Sequence, residues 1–442
     1  MSGSLYDAIA PVLILLVFVL SALLMYRKLM PAMVALPCMG IAMAAVGGMP
    51  IDRLISDAIA GGATRLHQAY TAVMFGAILS QLVQRSGIAE SIVRWAAELS
   101  GDRPLLVTSV MAATTIVLFT ALSGLGGVIM VASIAFPILL AVGVRPLSIA
   151  CSFLIAVAIG GLLNVANWGF FIEAFDVSQS MVLNYCATLM LASTVVLAAF
   201  LGWDVGRGGR RTLWAEVTRT ARPRLWWPAY LTPLLPIALV AGFAWGGRLS
   251  GTAEPFEFPP IAAMACGIAW GLIATRPERG RIQLLAGAMT EGIRDAAPAI
   301  AIMIGIGIVV NVVMDPSVAD RLRPVLGALN VSSPVSYVLI FAIGAPLALY
   351  RGPLNIWGLG VGVAALLREA GTLPAAGIAA ALLAVGQVQG ICDPTNTHNV
   401  WVADYLGVDV QDILKRTLPY AWAMAVMGLM VAAVWFMRGG GA

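Results

Sequence analysis

Two polar stretches interrupt apolar runs of this chain, Asn164 to Asn167 (NVAN) and Cys392 to Asn399 (CDPTNTHN). In the second, Asp393, Thr395, Asn396, Thr397, His398 and Asn399 each donate or accept hydrogen bonds, and Gln387 and Gln389 lead into it. Asp393 offers a carboxylate for a coupling cation or a proton, and His398 an imidazole of the kind that titrates near neutral pH. Gln389 is grouped with these two on the coupling side, and Thr395, Asn396 and Asn399 are read as polar contacts to a substrate. For His398 alone, a satisfied structural histidine remains open. Asn164 and Asn167 mirror the second stretch with neutral amides, which recognise hydroxyls or carbonyl oxygens but cannot by themselves carry a proton.

Two glycine-rich punctures of long apolar pieces add to the list. Arg351, in Tyr350-Arg351-Gly352-Pro353-Leu354-Asn355, lies in the middle of the apolar piece Val335 to Leu367. An arginine there costs on the order of 2.5 to 3.5 kcal/mol on insertion scales and normally faces a cavity or a partner. Its planar fork suits a carboxylate, with Gly352 and Asn355 beside it. The alternative is a loop tip at the membrane surface from which Arg351 snorkels or pairs with an acid. Ser123, Gly124, Gly126 and Gly127 puncture the piece Leu105 to Val142 in the same way. Small residues at a hairpin tip bring N–H groups to an anion, or simply allow close helix packing. Each long piece reads equally as a re-entrant hairpin or as two full crossings.

These groups need a scaffold that holds polar atoms inside hydrocarbon. Of 442 residues, 60% are hydrophobic and 11% charged, against about 25% charged in soluble domains. The composition is that of a polytopic membrane protein. Runs such as Ile9 to Met25, Met30 to Val46, Val182 to Phe200 and Tyr420 to Phe436 approach the roughly 20 apolar residues that cross a bilayer. The first run lacks a basic leader and a small-residue cleavage site, so a retained helix is expected. The five cysteines, Cys38, Cys151, Cys186, Cys266 and Cys392, are spaced for neither a metal site nor a disulfide framework and read as buried free thiols. A helix that stops within the bilayer is tolerated only where its freed backbone lines a cavity or meets a ligand. The breaks are therefore where chemistry is expected.

The net charge of +4 matters less than its placement. Arg207, Arg210, Arg211, Arg219, Arg222 and Arg224 cluster in a polar stretch read as a cytoplasmic linker, 206–227, between an N-terminal half, 1–205, and a C-terminal half, 228–442. Beside membrane helices this cluster reports topology, and no nucleic-acid partner is expected. The halves match weakly. Gly124 falls on Gly352 and Pro146 on Pro374 at an offset of 228, Gly62 on Gly292 at 230, and Asp176 on Asp409 at 233. Counting crossings from the linker sets equivalent helices in opposite directions. Inverted repeats with interrupted helices are the sequence pointer to a secondary transporter. Pairs such as Arg85 with Glu90 and Arg94 with Glu98 read as interfacial helix charges, and Glu173 and Asp176 as loop acids or a proton entry.

In length and element order the chain resembles the ion transporter superfamily, most closely the gluconate/proton symporters and their citrate-transporting relatives. The resemblance rests on MPIDRLISDAIAGG, FTALSGLGGVIM, VVMDPSVADRLRPVLGALNVSSP, the late CDPTNT break and LGVDVQDILKRTLPY. It differs from gluconate symporters in having NVANWGF and YRGPLN. It implies an all-α polytopic membrane protein of two inverted repeats with re-entrant hairpins and interrupted helices, about 12 to 14 segments in all. It further implies a homodimer in the bacterial inner membrane that moves a small organic anion with H+ or Na+, with no cofactor besides Na+ as a coupling ion. A cation/proton antiporter with Asp393 as the exchanging acid is the rival. An enzyme is not expected, because the two histidines are far apart and HExxH, GxSxG and P-loop signatures are absent.

Overall fold

The computed structural model describes residues 2–27, 29–206, 225–252, 256–275, 280–326, 333–358, 360–369, 371 and 373–437. The arginine cluster of the linker lies outside the described residues. The chain is helical throughout the rest: α1 Ser2–Tyr26, α2 Ala32–Gly47, α3 His67–Arg85, α4 Ile88–Leu99, α5 Pro104–Phe119, α6 Gly124–Ala141, α7 Pro146–Leu162, α8 Val165–Phe175 and α9 Gln179–Phe200, then α10 Leu235–Leu249, α11 Pro260–Ala274, α12 Arg281–Met314, α13 Pro316–Leu326, α14 Pro334–Gly344, α15 Gly360–Glu369, α16 Ala375–Cys392, α17 Thr397–Leu406 and α18 Val410–Ala432. Among the described residues six helices are long and apolar enough to cross a membrane, seven if the bent α7–α8 pair is one span, with five shorter apolar helices beside them.

Local signals explain the boundaries. Pro104, Pro146, Pro260 and Pro334 begin their helices, where a missing N–H costs nothing and φ is preset. Ser178 and Asp409 cap α9 and α18 through Met181 N and Gln411 N. On α1, Val12, Leu16, Val19 and Leu20 are exposed, as expected of a face that meets lipid. The same logic corrects the cysteine expectation. Cys151, Cys186 and Cys392 are buried, but Cys38 and Cys266 are exposed, because the outer face of an apolar helix needs no protein cover in hydrocarbon.

The closing helices α9 and α18 lie side by side and antiparallel. Phe200 packs edge-to-face on Tyr420 at 5.0 Å between ring centres, and Tyr185 meets Phe436 at a tilt at 6.2 Å. At one end Asp204 meets Arg416, Arg145 and Ser148. This buried carboxylate, 2% exposed, holds the starts of α7 and α18 to the end of α9. Asp176, at the far end of the α7–α8 pair, marks the opposite face.

The 230-residue register appears as reciprocal contacts. A side chain on Gly62 would strike Ile308 Cα at 2.6 Å, and one on Gly292 would strike Ile78 Cα at 2.8 Å. Arg65 Nη1 donates to Asn311 Oδ1 at 2.7 Å, while Gln81 Nε2 donates to Asp295 Oδ2 at 2.7 Å. Each contact is the other shifted by one repeat. The copies differ in continuity. Leu54–Ala60 is a π-helical stretch and the chain breaks between Thr64 and His67, whereas the second copy runs unbroken through 34 residues of α12. Arg94 Nε bonds Glu90 at 2.9 Å, one turn away on its own helix, and Arg85 reaches Glu291 at 3.8 Å in the other half.

Replacing Gly62 or Gly292 by Val is expected to destabilise the fold by about 1 to 3 kcal/mol through overpacking against backbone. Thermal unfolding of the purified protein should show similar losses for both variants, since the two glycines make equivalent contacts.

Candidate functional site

Each hairpin turns where the broken helix of its own half is interrupted. In the first half α7 ends at Leu162, α8 begins at Val165, and the two are bent by 59°. Asn164 fills the gap: its Nδ2 donates to Phe119 O at 3.2 Å and Leu122 O at 2.9 Å, and its Oδ1 caps α8 by accepting from Ala166 N. Asn167 Nδ2 donates to Gly161 O at 3.2 Å, and Trp168 Nε1 to Leu162 O at 2.8 Å. Between them these bonds serve carbonyls of the first hairpin tip, at Phe119 and Leu122, and carbonyls and an amide beside the break itself.

The second half repeats this arrangement with a change of charge. Asn396 Nδ2 donates to Gln389 O at 2.7 Å, as Asn167 does to Gly161. Asp393 takes the place of Asn164, with Oδ1 accepting from Thr395 N at 2.9 Å as Asn164 Oδ1 accepts from Ala166 N. Where Asn164 donates to hairpin carbonyls, Asp393 Oδ2 accepts from Asn355 Nδ2 of the hairpin tip at 3.2 Å. Thr395 Oγ1 adds a bond to Oδ1 at 2.7 Å. Asp393 and Asn355 are each 0% exposed. Among the described residues the carboxylate meets amide and hydroxyl donors but forms no salt bridge, and an ionised carboxylate so buried is costly without a counter-charge.

The tip around it is tightly wound. Tyr350 and Arg351 both have positive φ, 55° and 60°, a left-handed conformation unusual for two successive side-chain-bearing residues. Gly352 is required, since a Cβ there would lie 2.2 Å from Leu347 O. Ile356 N donates to Gln389 Oε1 at 3.1 Å, which ties the tip to α16. Arg351 is half-buried and donates Nη1 to Trp357 O at 3.2 Å. His398 lies within electrostatic reach of both Arg351 and Asp393 and approaches Gly390 O at 3.4 Å. Asn399 gives its amide to Ile391 O and Asp393 O, while its buried Oδ1 and that of Gln387, Oε1, have no partner.

Arg351, Gly352, Asn355, Gln389, Asp393, Thr395, Asn396, His398 and Asn399 thus form one cluster. Ser123, Gly124, Gly126 and Gly127 form the first tip, next to the Asn164 break. Ser123 N donates to Ser80 Oγ at 3.1 Å. The broken helices α7 and α16 approach closely at Ala158 and Gly390, where an added Cβ would be 3.7 Å from Ala158. Ser80, Gln81, Gln84 and Asp295 flank the first tip near Gly126, and the sequence reading did not single them out. Their signal was the 230-residue offset, which pairs Gln81 with Asn311 and Asp295 with Arg65. Glu173 is neither a free loop acid nor an open entry: it caps α3, accepting from Ala69 N at 2.9 Å and meeting His67 at 3.1 Å.

No protein-family model and no curated protein matches the chain. Solved structures do match it. The YdaH transporter of Alcanivorax borkumensis, described as having an unusual topology, aligns with a TM-score of 0.59 at 16% identity over 88% of each chain. MtrF of Neisseria gonorrhoeae, whose structure illuminates a class of antimetabolite efflux pumps, aligns with a TM-score of 0.60 at 15% identity over 87% of this chain and 84% of its own. The likeness is one of fold, that of an all-helical polytopic membrane protein.

Asn167 and Asn396 donate to the carbonyls of Gly161 and Gln389, which also accept the backbone N–H of Asn164 and Asp393, so replacing either by Ala should cost about 0.5 to 1.5 kcal/mol, the net worth of one hydrogen bond. Thermal unfolding in detergent measures it. The two losses are expected to be alike, because the two bonds are copies of each other.

Proposed function

We propose that this chain is a secondary active transporter, a symporter that moves a small organic anion with H+ or Na+ by alternating access. The anion is a sugar acid or a di- or tricarboxylate of the gluconate or citrate class, and the setting is a bacterial inner membrane with linker 206–227 in the cytoplasm. The single observation that carries the reading is the replacement of Asn164 by Asp393 at equivalent breaks. One copy closes its break with a neutral amide; the other places a buried carboxylate there, 3.2 Å from the tip amide of Asn355. A carboxylate without a counter-charge is a site for a coupling proton or cation.

Arg351, at the same hairpin tip, carries the opposite sign but forms no salt bridge with Asp393 among the described residues. In this reading it clamps the substrate carboxylate, while Asn355, Thr395 and the free acceptors of Gln387 and Asn399 face its hydroxyls. Asn164, Asn167 and Asn396 hold the breaks open to the ligand rather than contacting it with their engaged amides. His398, between the two charges, relays or senses the coupling proton. The likeness to YdaH and MtrF, both described as moving solutes, supports a transport role for the fold. A second reading, cation/proton antiport, draws on the same buried Asp393; the fixed charge of Arg351 opposes it.

In proteoliposomes with an imposed H+ or Na+ gradient, a panel of labelled carboxylates should include one that is taken up. Arg351→Gln is expected to lower that uptake roughly a hundredfold or more, the effect of removing one partner of a buried charge-assisted contact. Asp393→Asn should abolish the response to the gradient while counterflow of labelled for unlabelled anion persists. Cation-driven proton flux that survives Arg351→Gln, with no anion competing, would establish the antiporter instead.

A further inference from the structure

The second pieces of the two broken helices, α8 and α17, are seated differently. α8 lies tightly on α3: a Cβ on Gly169 would be 2.9 Å from Ala72 Cβ, and one on Gly76 would be 2.2 Å from Ala166 Cβ. The end of α8 is pinned there too, where Glu173 accepts from Gln68 N at 3.3 Å and Ala69 N at 2.9 Å and meets His67 at 3.1 Å. α17 leans instead on α6, α7 and α18. Its Thr397, Val400 and Asp404, spaced as one helical stripe, are exposed, Val400 by 47%. Both helices end on a left-handed residue, Asp176 and Gly407, an offset of 231 that sets Thr397, Val400 and Asp404 on Ala166, Gly169 and Glu173. The stripe that α17 leaves open is therefore the one by which α8 is held.

We propose that this open stripe is a docking surface for α12, and that α17 seats on α12 when α8 leaves α3. The reciprocal contacts of Gly62 with Ile308 and of Gly292 with Ile78 fix the offset between α3 and α12 at 230. Ala69 and Ala72 then correspond to Ala299 and Ile302, which are half-buried, with Ala297 and Pro298 exposed before them. Pro298 stands where Gln68 offers its N–H to Glu173, and a proline has none to offer Asp404. A cation takes that part. Arg294, one turn earlier, is 80% exposed and leans on Glu291 at 3.6 Å, a surface pair of little worth, while Asp404 is exposed and without an ion pair among the described residues. Asp404 lies where α17 leads into α18, toward Asp204, so this seam closes the face opposite the one that α8 and α3 close at Asp176. The alternation of the two seams rests on the transport reading; the docking surface rests on the repeat alone.

Disulfide trapping in the full chain tests the docking, with Cys38→Ala and Cys266→Ala removing the exposed native thiols. Ile302→Cys with Val400→Cys, and Ala299→Cys with Val400→Cys as a second pair, should each form a link within one chain under mild oxidation, identified by mass spectrometry of the joined peptides. Ile302→Cys with Ala403→Cys, on the buried side of α17, should not. Arg294→Glu should slow the link about fivefold or more, and adding Asp404→Arg should restore its rate to within about twofold. In proteoliposomes the link should stop uptake until it is reduced. Failure of both pairs to link, a link that joins two chains, or a rate indifferent to Arg294→Glu would overturn the proposal. A link that shows these charge effects in a protein that takes up no carboxylate would leave the docking surface standing and remove the anion-symport reading.

Discussion

Hydrocarbon offers no hydrogen bonds to a peptide group, and this single fact organises the molecule. Wherever a helix stops inside the membrane, its freed carbonyls and amides must be met by side chains. Here they are met by short amides. Asn164, Asn167, Asn396 and Asn399 bond to the carbonyls of Phe119, Leu122, Gly161, Gln389, Ile391 and Asp393. The breaks stay open because these bonds replace the helical ones. Their satisfaction is also what isolates the groups with capacity left over, Arg351, Asp393, His398 and the free oxygens of Gln387 and Asn399.

Duplication then works as an internal control. Two copies of one solution, related by an offset of 229 at Asn164 and Asp393, differ in one formal charge at the position that matters. Packing and backbone repair are common to both copies, so they do not explain why one carries a carboxylate. The asymmetry of charge continues outward. Asp295, from the second half, stands beside the first tip, and Arg65, from the first half, stands beside the second hairpin's α15. Each site is furnished partly by the opposite half.

Much of this was legible in the sequence because membrane burial writes large signals. Both breaks and both hairpin tips stand out through polarity against an apolar background, and the apolar runs at Ile9 and Tyr420 through their length. The offset of 230 was readable at Gly62 and Gly292. Less legible was the division of labour among polar residues. Asn396 and Thr395 look alike on paper as hydrogen-bonding residues, yet one repairs backbone and the other touches Asp393, because only the fold reveals which carbonyls are orphaned. Asp295 and Gln81 escaped notice since an acid and an amide on an amphipathic stretch look like surface residues until the partner half is laid against them. The fate of Cys38 and Cys266 depended on which side of a uniformly apolar helix faces lipid, a distinction that the weak amphipathicity of α2 and α11 does not encode.

The unbroken α12 has a mechanical consequence. Near one end, Asp295 is held by Gln81 beside the first tip; sixteen residues on, Asn311 is held by Arg65. A helix rises about 1.5 Å per residue, so these anchor points lie roughly 24 Å apart. Pro298 stands between them, where its ring removes one helical hydrogen bond and favours a bend. The first copy is interrupted between Thr64 and His67 instead. Each repeat therefore carries its own weak point in the stretch by which it grips the other.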